Sequence, residues 1–273
     1  MKKVYELFTA GAGLAARGLL GVFPPSKMKK YVLGALAAAT TAMLAVALMA
    51  GDLFPGAGDL KVTSKSTVGV KPLFSINLQG VHYYSSRFQC ELWTDTLGKE
   101  DHMIDYKNGI FYTIDHKSKE VSKQTFDDME KLLKWMGGAA PSAKTENVEI
   151  KKIEKVGKAT IAGRTCDKYK ITIGKNVSVY YLDPSLEDPL LKIRRDKMGK
   201  VGKAIFGEGE LAKLQEGVAG KLKGFTLKIE NENVKMDVTK VEIVPIPASM
   251  FELPKGYKVK DIGKEVLKAM QKM

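Results

Sequence analysis

The sequence predicts a mainly β, α+β domain: an antiparallel sheet with one or two helices packed on it. Three observations predict it. Apolar and polar residues alternate at period two along most of the chain after residue 59, the pattern of strands buried on one face. The connections between these runs are short and rich in turn residues, which favours a meander over βαβ units. A single stretch near residue 130 carries a capped helical stripe, and such a stripe is buried most simply against the sheet.

Phe74, Ile76 and Leu78 alternate with Ser75 and Asn77, and Phe88, Cys90 and Leu92 alternate with Gln89 and Glu91. Residues 103–114 read as two strands around Asn108-Gly109, a dipeptide that takes positive φ easily and suits a two-residue hairpin turn. Further strands are expected at 148–156, 169–173, 177–182, 225–230 and 234–244. Thr125 caps a helix over 125–137. Asp128 completes its capping box, Met129, Leu132, Leu133 and Met136 form its apolar face, and Gly137-Gly138 stop it. A weaker helix is expected at 208–222, where Gly217 and Gly220 each cost about 1 kcal/mol relative to Ala. A short closing helix is expected at 261–273. No internal repeat is evident, and residues 51–273 read as one domain.

Residues 31–50 carry no charge and follow Lys27, Lys29 and Lys30, with small residues at the exit, as in a signal peptide. Retained, the segment would be a single anchor, since about 20 apolar residues span a bilayer. Met28 offers an alternative start to Met1, and residues 1–30 read as an N-terminal extension. The expected location is therefore periplasmic or exported, in the cell envelope. With 44% apolar and 27% charged residues the chain is not disordered, collagen-like or a multi-span membrane protein. Residues 1–50 hold six of the 44 basic and one of the 31 acidic residues, so the remainder carries 38 against 30, net +8. Such charge favours anionic envelope surfaces as partners; nucleic acid is not expected.

The chemistry candidates are sparse. Cys90 and Cys166 read equally well as a disulfide and as two separate thiols; a bridge closing so long a loop would contribute about 4 kcal/mol. His102 and His116 read as exposed turn histidines and His82 as a strand residue, with no short spacing that gathers metal ligands. Neither a Gly-x-Ser-x-Gly elbow nor a P-loop is present, so no enzyme, metal or cofactor is expected. The stretch 192–223 carries nine cations against four acids. Lys192, Arg194, Arg195, Lys197, Lys200 and Lys203 are its candidate basic surface, read either as a solvated helix and loop or as an amphipathic lid touching anionic lipid.

Thr160-Ile161-Ala162-Gly163-Arg164-Thr165-Cys166-Asp167-Lys168-Tyr169-Lys170-Ile171 resembles one signature of exported bacterial domains of unknown function, and Ile246-Pro247-Ala248-Ser249-Met250-Phe251-Glu252-Leu253-Pro254-Lys255-Gly256-Tyr257 resembles another. More distantly, these domains resemble the lipoprotein-carrier (LolA/LolB-like) fold. The resemblance covers about residues 59–260 and implies a curved sheet, a half-barrel, with its helices on the concave side over an apolar cavity. The function it implies is non-enzymatic binding of a lipid or acylated peptide, with an envelope interaction module as the alternative. The expected lining residues are Phe74, Ile76, Leu78, Phe88, Leu92, Ile110, Tyr112, Ile114, Tyr169, Ile171, Phe225, Leu227 and Ile229. Each buried CH₂ of a ligand would contribute about 0.8 kcal/mol. The oligomeric state and the ligand's identity are not set by these residues.

Overall fold

The computed structural model describes residues 58–70, 74–131, 150–173, 176–206 and 221–265. Twelve strands form one sheet: β1 (Leu60–Val70), β2 (Phe74–Ser85), β3 (Cys90–Asp95), β4 (Glu100–Asp105), β5 (Ile110–Asp115), β6 (Glu120–Thr125), β7 (Ile150–Ile161), β8 (Arg164–Ile173), β9 (Asn176–Asp183), β10 (Phe225–Glu230), β11 (Val234–Ile243) and β12 (Lys258–Asp261). Their order across the sheet is β12-β6-β5-β4-β3-β2-β1-β11-β10-β9-β8-β7. The predicted antiparallel architecture is present, with one departure: the edge strand β12 runs parallel to β6. A parallel neighbour needs a crossover. Residues 244–257 supply it as a strap leading from β11 to the far edge.

Strands β3 to β6 repeat with a period of ten, six strand residues and four loop residues, although no repeat is evident in residue identity alone. Ser85, Asp95, Asp105 and Asp115 recur at the start of each loop. Each accepts a hydrogen bond from the loop backbone: from Phe88 N at 3.4 Å, Leu97 N at 3.1 Å, Asn108 N at 2.9 Å and Lys117 N at 2.9 Å. This is the side-chain mimicry of a turn for which Asp and Ser are suited. The expected two-residue turn at Asn108-Gly109 is instead a four-residue loop in which Gly109 alone has positive φ, at 65°. A two-residue hairpin lies elsewhere, at Ala162-Gly163 between β7 and β8, with φ of 50° and 75°. Arg164, the next residue, bonds the buried Asp183 carboxylate and donates to Ser185 Oγ at 3.0 Å, which fastens the hairpin to the end of β9. Burial would raise the Asp183 pKa, but the bonds from Ser185 and Arg164 outweigh it and hold the group below the usual range.

Thr125 caps the first helix as predicted: Asp128 N donates to Thr125 Oγ1 at 3.1 Å, and Thr125 Oγ1 donates to Asp128 Oδ2 at 2.7 Å. Residues 126–131 of this helix, α1, are described; its expected stop at Gly137-Gly138 lies outside the described residues. The second described helix, α2, is Leu191–Phe206, earlier in the chain than the one expected at 208–222. Of that expected helix only 221 and 222 are described, and they are not helical. Residues 262–265 form one turn of the expected closing helix.

Register assigns each residue to one of two faces. Tyr84, Phe126, Met129, Ile104, Tyr106, Leu190, Ile193 and Val201 pack together, so α1 and α2 lie on the face that carries Tyr84 and Ile104. Leu60, Val62, Cys166, Tyr181, Phe225, Leu227 and Val238 continue that core across β1 and β8–β11, with Tyr84 shared by both clusters. The other face of β9 packs Tyr180 and Leu182 with Tyr169, Ile171, Leu222 and Ile229. A bulge between Thr226 and Lys228 explains how Leu227 and Ile229 reach opposite faces two residues apart. On β3–β6 this second face is crossed by the strap. Its 3-10 helix (Ala248–Phe251) packs on β3, Phe251 meets Phe88 at 5.7 Å between ring centroids, and Arg87 donates to the Ile246 carbonyl at 2.7 Å.

Candidate functional site

The candidate site lies on the helix-bearing face of β2–β5. Strand pairing sets His82 opposite Trp93, Trp93 opposite His102, and His102 opposite Thr113. Phe111, two residues from Thr113, stacks on His102. Ring centroids are 6.3 Å apart for His82–Trp93, 5.2 Å for Trp93–His102 and 5.9 Å for His102–Phe111, the last two pairs inclined by 25°. Gly80 gives the row its room, because a Cβ there would collide with the Trp93 indole. All four rings are half-buried.

The two histidines are uncharged at neutral pH. Burial, with Arg194 as a second cause, lowers His82 to about 4. Burial also lowers His102 to about 4, opposed by Asp95 and helped by His82. Each has a hydroxyl neighbour: His82 Nε2 lies 3.2 Å from Ser64 Oγ, and His102 Nδ1 lies 3.4 Å from Thr113 Oγ1. The site is therefore a neutral strip of π surface edged by hydroxyls, suited to apolar or weakly polar groups.

A buried ion network closes one end. Arg194 of α2 is only 7% exposed. It donates to Asp188 Oδ2 at 2.5 Å, to Glu91 Oε2 at 3.1 Å and to the Tyr106 hydroxyl at 3.1 Å. Tyr106 in turn donates to Glu91 Oε2 at 2.9 Å. Two carboxylates thus compensate one guanidinium, and the network docks α2 onto the sheet. Burial, then the Glu91 charge, pushes the Tyr106 hydroxyl far up, so it stays a donor.

The predicted lining residues divide between the faces. Phe225 and Leu227 belong to the helix-bearing core, and Leu78 is half-buried two residues from Gly80 on the same face. Phe74 and Ile76 pair with Val70 and Val68 at the far end of β2, and their side chains are outside the described residues. Leu92, Ile110, Tyr112 and Ile114 alternate to the other face, Phe88 packs on the strap, and Tyr169, Ile171 and Ile229 fill the cluster on the far side of β9. The expectation of one continuous lining set is thus corrected. The apolar phase of β3–β5 is core beneath the strap, and the phase through Glu91, Trp93 and His102 faces the helices.

The readings of Arg194 and His102 change, His116 keeps its turn but is half-buried, and the two-way reading of the cysteines resolves to separate thiols. Arg194 does not belong to a basic surface: it shares the inner side of α2 with Leu191 and Val201, at helical spacing. Lys192 and Lys197 are exposed, Arg195 is half-buried, and the side chains of Lys200 and Lys203 lie outside the described residues. Cys90 and Cys166 are buried free thiols. Six strand spacings separate β3 from β8, about 29 Å along the sheet at roughly 4.8 Å each, and the two side chains take opposite faces. Burial raises Cys90 to about 12 and Cys166 to about 11. His102 is a strand residue of the aromatic row, and His116 is bonded to Asp101 and Tyr257. Among the described residues no group of three His, Cys, Asp or Glu is placed to hold a metal, and no helix is long and apolar enough to cross a membrane. Residues 31–50 lie outside the described residues.

A family model, DUF4412, described as a domain of unknown function, matches residues 100–257, more than half of the chain. The chain belongs to the DUF4412 family. The match runs from the first residue of β4 to the end of the strap, and so contains both motifs quoted above together with His102, Phe111 and α2. No curated protein matches the chain in sequence. Among solved structures, this DUF4412 protein is similar to an uncharacterized conserved protein from Thermus thermophilus, at 7% identity and a TM-score of 0.41, covering 82% of this chain and 98% of that one. It is similar to the MucA/MucB complex structure from Pseudomonas aeruginosa, at 11% identity and a TM-score of 0.41, covering 82% of this chain but 63%, less than two thirds, of that one. It is also similar to a LolA superfamily protein from Nitrosomonas europaea, at 7% identity and a TM-score of 0.31, covering 79% of this chain and 97% of that one. The resemblance read from the two motifs is thus found at the level of the family, a domain of unknown function whose match contains both.

Proposed function

We propose that this DUF4412 protein is a non-enzymatic, exported envelope protein that binds an apolar ligand, a lipid or an acylated peptide, on the helix-bearing face of its sheet. The observation that carries the reading is the row His82–Trp93–His102–Phe111, whose rings are neither core nor surface and whose histidines stay neutral. A neutral strip shields alkyl carbon without a desolvation penalty for fixed charge. The Lys-flanked apolar segment at 31–50 supports export, cleaved or retained as an anchor. A second reading, recognition of an anionic partner or membrane surface through a basic face, is favoured by the net charge of +8 over residues 51–273.

Trp93 reports on the first reading directly. In a Trp135→Phe background, titration with a sixteen-carbon monoacylglycerol is expected to give a saturable blue shift of Trp93 emission. A spectrum unmoved by that lipid in the folded protein contradicts it.

A further inference from the structure

Outside the helix-bearing face, three polar side chains from separate elements converge where the strap rejoins the sheet. The loop after β5 supplies His116, β4 supplies Asp101 and the end of the strap supplies Tyr257. His116 Nε2 lies 2.9 Å from Asp101 Oδ2, and its Nδ1 lies 3.1 Å from the Tyr257 hydroxyl oxygen. The phenol ring meets the imidazole edge-on at 5.9 Å. A carboxylate has no hydrogen to give, so Asp101 assigns the proton to Nε2, which donates to it. Nδ1 then offers a lone pair, and the Tyr257 hydroxyl donates to that. This is the order of orienting acid, base and nucleophile found in activated side chains.

A clamp explains the arrangement less well. A direct Tyr–Asp hydrogen bond would hold the strap with one side chain fewer. Among the described residues, Asp101 Oδ1 is buried with no hydrogen-bond partner, so the carboxylate spends its one contact on orienting His116. The cluster is also within reach of solvent: the His116 side chain is 29% exposed and that of Asp101 15%.

We propose that Asp101, His116 and Tyr257 form a relay that makes the Tyr257 hydroxyl a stoichiometric acceptor of acyl groups from activated esters. Tyr257 Oη bonds to the ester carbonyl carbon as His116 Nδ1 takes its proton. The bond to the leaving oxygen then breaks, and that oxygen takes the proton from Nδ1. The products are O-acyl-Tyr257 and the free alcohol or phenol, with no other reactant consumed.

The test exposes the full chain to 4-nitrophenyl acetate and maps the label by peptide mass spectrometry. Hydroxylamine distinguishes tyrosyl esters, which it removes, from lysyl amides. Tyr257 is expected to be acetylated at least tenfold faster than the other tyrosines, and the rate to fall at least tenfold in His116→Phe and in Asp101→Asn. Labelling spread evenly over the tyrosines overturns the proposal, as does an unchanged rate at Tyr257 in a folded variant. Should His116→Phe fail to fold, Asp101→Asn and the distribution of label in the unaltered protein still decide.

Discussion

Arg194 shows how far one residue depends on its setting. In sequence it is one cation among nine, yet in the fold it is the member of that set with both Glu91 and Asp188 against it. Arg194→Met leaves the Asp188 carboxylate, 5% exposed, and the half-buried Glu91 without a counter-charge, and a loss of about 3 kcal/mol is expected in denaturant unfolding. His82 and His102 give a pH dependence of fixed sign. Their folded pKa values, near 4, lie below the unfolded value of 6.5, so the unfolded chain takes up protons first. Their stabilisation is fully present above pH 6.5 and is lost as pH falls toward 4. His82→Phe and His102→Phe are each expected to flatten the stability profile between those values in thermal melts. Neither effect was legible from composition. A histidine in Lys99-Glu100-Asp101-His102 looks like a turn residue until the ten-residue period places it in the middle of a strand.

At the scale of elements, the strands were legible because alternation survives in sequence, and α1 because Thr125 and Asp128 spell its cap. The phase was not legible. β3 carries apolar residues on one face and Glu91 and Trp93 on the other, and only the path of the strap shows which of these is core. The period of ten was present in Asp95, Asp105 and Asp115 but is carried by turn chemistry, not by repeated side chains. The short edge strand β12 depends on a crossover of more than ten residues, which no local pattern announces. The β7–β8 hairpin carries a defect that can be removed. Ala162 holds φ at 50°, a left-handed conformation that Ala adopts at a cost of roughly 1 kcal/mol. Ala162→Asn is expected to stabilise the protein by about 0.5–1 kcal/mol in chemical denaturation, since Asn tolerates that conformation and suits the first position of this turn.

At the scale of the whole molecule, the described residues build one twelve-stranded sheet with unequal faces. The strap covers one face of β3–β6, while the helices and the aromatic row occupy the other. The Arg194 network ties α2 to the same strands that carry the row, so the aromatic row and helix docking share one scaffold. The fold class and the family resemblance were readable because they rest on pattern and on two motifs. The site was not, because it is assembled from His82, Trp93, His102 and Phe111 on four different strands, brought into line only by register. The central claim is that this face takes up an apolar ligand. Native mass spectrometry with organic extraction, on the protein purified from a bacterial envelope, tests it most directly. Near-stoichiometric lipid or acylated peptide bound to the folded chain is the expected result. A clean apo mass, unchanged after incubation with envelope lipids, would contradict it.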